Sequence, residues 1–239
     1  MFRSVDILAT SSQEYIDNYF HPLQNYRKRY YILENKLYFN KQVPPRPQST
    51  AYVKVPRLRI GLVGLIRCQV SFDLFLEIAD KLQQDVEIHL YGYFAEPIKN
   101  RSEIDGRENI KYFGRYEYPA DLERIYTNLD LVWVSDFRQR GNNSDWALAN
   151  RLYEAGYFGC AALAVKDTAN ARFIAAKGSG FIVNAPTEAA VSPLLRRLNA
   201  VGMADTRREI LACDASNFVQ TQEEIRGLIR MVARTDHEA

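Results

Sequence analysis

Six short apolar runs, at residues 58–63, 86–91, 110–113, 129–134, 161–165 and 180–183, punctuate the chain from Val55 onward, with longer stretches between them. Three of those stretches carry helical spacing: the one holding Phe72, Phe75, Leu76, Ala79 and Leu82, then residues 120–128, then residues 147–157. Strand and helix repeated in this order build βαβ units, whose parallel strands join one sheet with helices on both faces. Right-handed crossovers follow from the same geometry. The expected fold class is α/β, a doubly wound parallel sheet.

The first part of the chain follows another pattern. Residues 5–9 read as a strand, 11–20 as a helix and 29–33 as a second strand, before the proline-rich stretch that runs from Gln42 to Ser49 breaks the periodicity. These elements are too few for a core of their own, since an α/β domain takes on the order of 100 residues. They are expected to be the remnant of another domain, 1–41, joined by a linker, 42–56, to a main domain, 57–201. The remainder, 202–239, reads as C-terminal helices, with a helical pattern over 205–234 and Ile225, Leu228, Ile229 and Val232 on one stripe.

Composition removes several classes of function. Lys and Arg number 31 against 29 Asp and Glu, a net charge of +2 spread along the chain, so no basic footprint for nucleic acid is visible. No apolar run reaches the roughly 18 residues of a membrane span, and the N-terminus lacks a secretory core, so the chain is expected to be soluble and cytoplasmic. Cys68, Cys160 and Cys213 lack CxxC spacing, and His21, His89 and His237 have no second ligand nearby, so neither disulfides nor zinc are expected.

A doubly wound sheet binds ligand at the carboxyl ends of its strands where strand order reverses, which directs attention to the loops after the first and fourth strands. The first holds Gly64 and Arg67, read as a tight Gly64 turn that opens a helix at Ser71. Neither GxGxxG nor a Walker motif is present, so dinucleotide and P-loop sites lose most of their support. A helix N-terminus beside a guanidinium suits a diphosphate, whereas the alternative is a plain turn with a solvated arginine. After the fourth strand, Asn142, Asn143, Ser144 and Asp145 lead into a helix expected to run to about Phe158 and stop at Gly159. On it, Asn150 and Glu154 lie four apart. Such a carboxylate can accept two hydroxyls of a ribose or sugar diol; the alternative is a surface glutamate paired with Arg151.

Taken together, Arg59-Ile-Gly-Leu-Val-Gly64, Leu90-Tyr-Gly-Tyr93, Asn109-Ile-Lys-Tyr-Phe-Gly-Arg-Tyr116, Asp121-Leu-Glu-Arg-Ile-Tyr126, Leu129-Asp-Leu-Val-Trp133 and Asn150-Arg-Leu-Tyr-Glu-Ala-Gly156 give the chain a family likeness. Over roughly residues 57–183 it resembles the C-terminal, donor-binding, Rossmann-like half of the GT-B glycosyltransferases, in particular family 4 (group 1) members of exopolysaccharide type. Residues 4–35 resemble the end of that architecture's N-terminal domain. In the family, a Glu, seven residues and a second Glu bind the donor. Glu154 matches the second, which implies a ribose contact, whereas the first position falls on Trp146, with Asp145 and Ser144 adjacent. Arg67 matches the family's diphosphate arginine, but no lysine follows until Lys81. The resemblance places Gly92, Arg115 and Tyr116 near the base, and Thr168-Ala-Asn170 near the donor sugar.

The activity so implied is transfer of a sugar from a nucleotide-diphosphate sugar to the hydroxyl of a saccharide or lipid-linked acceptor, in polysaccharide or glycoconjugate synthesis. No cofactor is implied. Charge on the leaving group would be met by Arg67 and a helix N-terminus without a metal, and the chain has no DxD pair. A two-domain enzyme of this architecture needs two halves of roughly 150 residues. The chain is therefore expected to be a fragment or subunit that lacks an N-terminal domain or works with a partner subunit, in the cytoplasm or at the periphery of the inner membrane. The rival is a catalytically inactive scaffold in a polysaccharide assembly.

Overall fold

A computed structural model describes residues 4–38, 43–48, 52–95 and 98–233. Gln42, Ser49, Arg234 and His237 lie outside the described residues. The chain opens with strand β1 (Ile7–Thr10), a turn of helix α1 (Gln13–Tyr15) that continues as a π-helical turn (Ile16–Phe20), and strand β2 (Arg29–Ile32). β1 and β2 pair in parallel as a two-stranded sheet of their own. In this segment Ile16 and Tyr26 are buried.

The main sheet begins with β3 (Leu58–Ile66), followed by helix α2 (Gln69–Lys81), β4 (Val86–Phe94), β5 (Ile110–Gly114), α3 (Leu122–Thr127) and β6 (Leu131–Trp133). After β6 come a short α4 (Asn143–Trp146), α5 (Asn150–Phe158), β7 (Ala161–Val165), α6 (Ala169–Lys177), β8 (Gly180–Val183) and α7 (Glu188–Val201). The six strands run in parallel in the order β5-β4-β3-β6-β7-β8. Chain progression reverses between β3 and β6, which opens the crevice at their carboxyl ends. This is the expected doubly wound fold.

The central strands are apolar on both faces because helices cover both. Trp133 on β6 is fully buried, edge-on to Phe75 of α2, and its indole N–H donates to Ser71 Oγ at 2.9 Å. That bond satisfies the indole's one polar group inside the core, so β6 is anchored to α2 by packing and polarity together.

Several expectations are corrected. Gly64 is not a turn: its φ is +104°, yet β3 continues through it to Ile66, paired in register with β4, where Gly92 has φ +119°. The helix after it starts at Gln69 rather than Ser71. The helix expected across 142–158 is two helices, because the Asn170 side chain intervenes at residues 147–149. Its Oδ1 accepts from the Ala149 N–H at 3.0 Å and its Nδ2 donates to the Ala147 carbonyl at 3.3 Å, giving those backbone groups partners outside a helix. The crossover helices α6 and α7 carry no mark in the sequence reading. The C-terminal region divides into α8 (Ala204–Ala212), a 3-10 turn (Ala215–Asn217) and α9 (Gln222–Ala233), since Asp214 accepts from the Ser216 N–H at 2.8 Å and starts a local turn. Ile229 and Val232 on the predicted apolar stripe stand 60% and 49% exposed.

The described part of the proline-rich stretch is packed rather than loose. Val43 is buried, and the Arg46 guanidinium donates to the carbonyls of Tyr157, Ile210 and Cys213 at 3.1, 2.9 and 2.7 Å.

Candidate functional site

At the reversal point lies a cavity of about 410 Å³, lined by Gly64, Leu65 and Arg67 from the end of β3 and its loop, and by Asp136 from the loop after β6. Asn143 and Ser144 of α4, the break at 147–149, and Asn150, Arg151 and Glu154 of α5 form its other wall. Tyr116 and Tyr118 follow β5, and Asn170 belongs to α6. The Gly64–Arg67 segment and the helix bearing Glu154, far apart in sequence, thus face one space.

β3 reaches this space because glycines stand at both members of the Gly64–Gly92 pair. A Cβ on Gly92 would sit 1.8 Å from the Gly64 carbonyl oxygen, so only glycine lets the two strands stay paired to their ends. Arg67 follows at the rim, half-exposed, its Nε 3.2 Å from Asp136 Oδ2.

Glu154 is 6% exposed. It is neither a surface residue nor in an ion pair with Arg151, which corrects the plainer sequence reading. Its Oε2 accepts from the Tyr126 hydroxyl at 2.6 Å, and no hydrogen bond among the described residues reaches Oε1. Burial pushes the carboxyl above its ordinary range, against the Tyr126 bond and the Arg151 charge, which both pull it down. Burial and the nearby Glu154 charge raise the Tyr116 phenol to about 12, so it stays neutral and can donate a hydrogen bond into the cavity.

The α5 N-terminus borders the same space. Its N-cap, Ala149, has no side chain able to satisfy the first-turn N–H groups. Uncapped N–H groups and the helix dipole favour an anion there.

Of the residues expected in a donor site, Gly64, Arg67, Tyr116, Ser144, Asn150, Arg151 and Glu154 line the cavity, and four do not. Asp145 accepts from the Gly141 N–H at 2.6 Å and pairs with Arg140 at 3.1 Å, bracing the loop after β6. Gly92 acts by fitting against Gly64. Arg115 lies over the Tyr93 ring at 4.4 Å, outside the lining. Thr168 caps α6, its Oγ1 accepting from the Ala171 N–H at 3.2 Å. Trp146 turns toward the N-terminal segment, edge-on to Tyr15, with its carbonyl accepting from Ser12 Oγ at 2.6 Å.

Sequence reading missed Asp136, Asn143 and Tyr118 as lining residues. Asp136 lies in the loop already singled out after the fourth strand, and Tyr118 lies two residues beyond Tyr116.

Searched against protein-family models, the chain matches none. It is 31% identical over 234 residues to the succinoglycan biosynthesis protein ExoL of Rhizobium meliloti (strain 1021), covering 95% of this chain and 58% of the relative. The chain thus spans little more than half the relative's length. HepE of Anabaena, solved with UDP and glucose, superposes with a TM-score of 0.68 at 12% identity, over 98% of this chain and 64% of that one. This is the GT-B glycosyltransferase fold. The pneumococcal O-GlcNAc transferase GtfA, solved with UDP and GlcNAc, gives a TM-score of 0.63 at 15% identity, over 98% of this chain and 46% of that one. No helix among the described residues is long and apolar enough to cross a membrane.

Proposed function

We propose that the chain is the donor-binding part of a glycosyltransferase that moves a sugar from a nucleotide-diphosphate sugar to an acceptor hydroxyl in polysaccharide synthesis. The observation that carries this reading is the buried Glu154 carboxyl, held by a neutral tyrosine in an open cavity that also contains Arg67. A buried carboxyl with its charge disfavoured is costly, and such groups concentrate at binding and catalytic sites. A scaffold has no need of one.

In this reading Glu154 accepts the ribose hydroxyls, while Arg67 and the first-turn N–H groups of α5 face the diphosphate. The acceptor oxygen attacks the anomeric carbon, the bond from that carbon to the diphosphate oxygen breaks, and the acceptor proton passes to a base or to the departing diphosphate. Cationic and N–H donors placed where negative charge grows stabilise that step, without a metal in this proposal. The acceptor, a saccharide or a lipid-linked one, is bound from across the cleft by a facing domain or partner subunit. The work is cytoplasmic, at the inner face of the membrane where lipid-linked acceptors are handled. Support comes from the fold, from the cavity, and from the relative whose printed name is a succinoglycan biosynthesis protein.

The test is saturation-transfer NMR on the chain with UDP- and GDP-sugars, alongside Glu154→Gln and Arg67→Ala. Ribose and anomeric contacts in the wild type, lost in Glu154→Gln, are expected. Silence toward both donor classes overturns the reading, and unchanged diphosphate affinity in Arg67→Ala removes Arg67 from it.

A further inference from the structure

Arg151 occupies an unusual position for a guanidinium. It is half-buried on the first turn of α5, where Nε donates to the Trp133 carbonyl at 2.8 Å and Nη2 reaches the Ser135 carbonyl at 3.5 Å. Both partners are neutral. Among the described residues no carboxylate oxygen comes within 4.0 Å of it, and Nη1 makes no hydrogen bond. Of the cavity's two carboxyls, Asp136 is already engaged by Arg67 through Oδ2 at 3.2 Å and by the Arg138 N–H through Oδ1 at 2.9 Å, and Glu154, whose charge Arg151 feels without an ion pair, is held by the Tyr126 hydroxyl at 2.6 Å. A charge taken partly out of water and left without a counter-ion is costly unless an anion completes the site. The two carbonyls fix the plane of the guanidinium, so its free edge is oriented before any ligand arrives.

Resting on the donor-binding reading above, we propose that Arg151 is the second cation of the diphosphate site, facing Arg67 across the cavity so that one arginine comes from each wall. Arg67 waits in an ion pair with Asp136 and exchanges that carboxylate for a phosphate oxygen. Arg151 has no carboxylate to release and meets the diphosphate directly. Affinity for a nucleoside diphosphate therefore depends on Arg151 chiefly through its phosphate part, and the nucleoside part feels Arg151 only through its charge on Glu154.

Ligand-observed NMR titration of the chain with UDP and GDP, each beside its own nucleoside, tests this. Arg151→Gln is expected to weaken the bound diphosphate at least tenfold and to leave the nucleoside within twofold. Arg151→Lys keeps the charge but loses the planar fork, and is expected to weaken the diphosphate at least threefold; it decides the matter alone should the glutamine variant not fold. A diphosphate-to-nucleoside affinity ratio unchanged in the folded variants overturns the role of Arg151 while leaving the donor-binding reading intact. Absence of binding by the wild type to both diphosphates overturns both.

Discussion

The Tyr126 hydroxyl, fully buried on α3, donates at 2.6 Å to Glu154 on α5. This one bond ties the cavity's carboxyl to a helix that contributes nothing else to the lining. Tyr126→Phe leaves Glu154 Oε2 without its donor inside the protein. A hydrogen bond to a charged group contributes about 1.5 to 3 kcal/mol, and a loss of that order is expected in urea denaturation. Combined with Glu154→Gln, the same change is expected to cost less than it does alone, because the two residues act as a pair.

Glu154 also sets a pH dependence. Burial raises its folded-state pKa above the ordinary 4.5. The folded protein therefore holds this proton more tightly than the unfolded chain. The stability it contributes is complete below about pH 4.5 and is lost as pH climbs through the raised value. Glu154→Gln lacks this dependence. Its stability relative to the wild type is expected to improve between pH 4 and pH 8, even as nucleotide binding is lost. Denaturation curves across that range check it; a relative decline of the variant on raising pH contradicts the assignment.

The Gly64–Gly92 pair predicts an asymmetry. Alanine at 92 meets the Gly64 carbonyl and a positive φ together, and is expected to cost about 3 kcal/mol or more. Alanine at 64 finds open space within 4 Å and only the φ of +104° to oppose it, a cost of roughly 1 to 2 kcal/mol. Thermal unfolding of both variants gives the order. Gly92→Ala should also weaken UDP binding, since it pushes the cavity's first wall aside.

Trp146 stands where the resembling family carries a donor-side carboxylate, yet it packs on Tyr15 and Tyr19 instead of facing the cavity. Because residue 146 does not line the cavity, Trp146→Glu is expected to leave the chain's affinity for a nucleotide-diphosphate sugar unchanged within twofold. It should release the segment around residues 13–20, seen as faster proteolytic cleavage there, at a stability cost of about 2 kcal/mol.

What could be read in advance followed from burial on two faces. β7 matches its expected ends because Ala161-Ala-Leu-Ala-Val165 is apolar and buried at every position; the edge strand β8 matches too, though Ile182 is 41% exposed, because its short apolar run is bounded by turns. β3 and β4 were read three residues short, because a glycine with positive φ ordinarily ends a strand and here two of them are paired side by side. α6 was hidden by its alanine-rich, weakly sided sequence, and α7 by Pro193 inside it, a residue that ordinarily stops a helix. In the site, the family resemblance singled out Glu154 and Arg67, whereas position and charge alone left a surface glutamate and a solvated arginine equally open. The interruption of the helix before Asn150 was not legible, since it depends on Asn170, more than twenty residues further along the chain. The burial of Glu154 likewise depends on Tyr126, which no local pattern connects to it.

The Arg46 strap bears on any attempt to shorten the molecule. Its three carbonyl partners belong to the ends of α5 and α8 and to Cys213. A recombinant piece beginning at Arg57 would keep every strand of the main sheet but leave those carbonyls to water at the base of the helix that carries Glu154. Trimming at the apparent domain border would thus loosen the wall of the cavity from behind, and a piece retaining residues 43–48 is the better starting point for binding work.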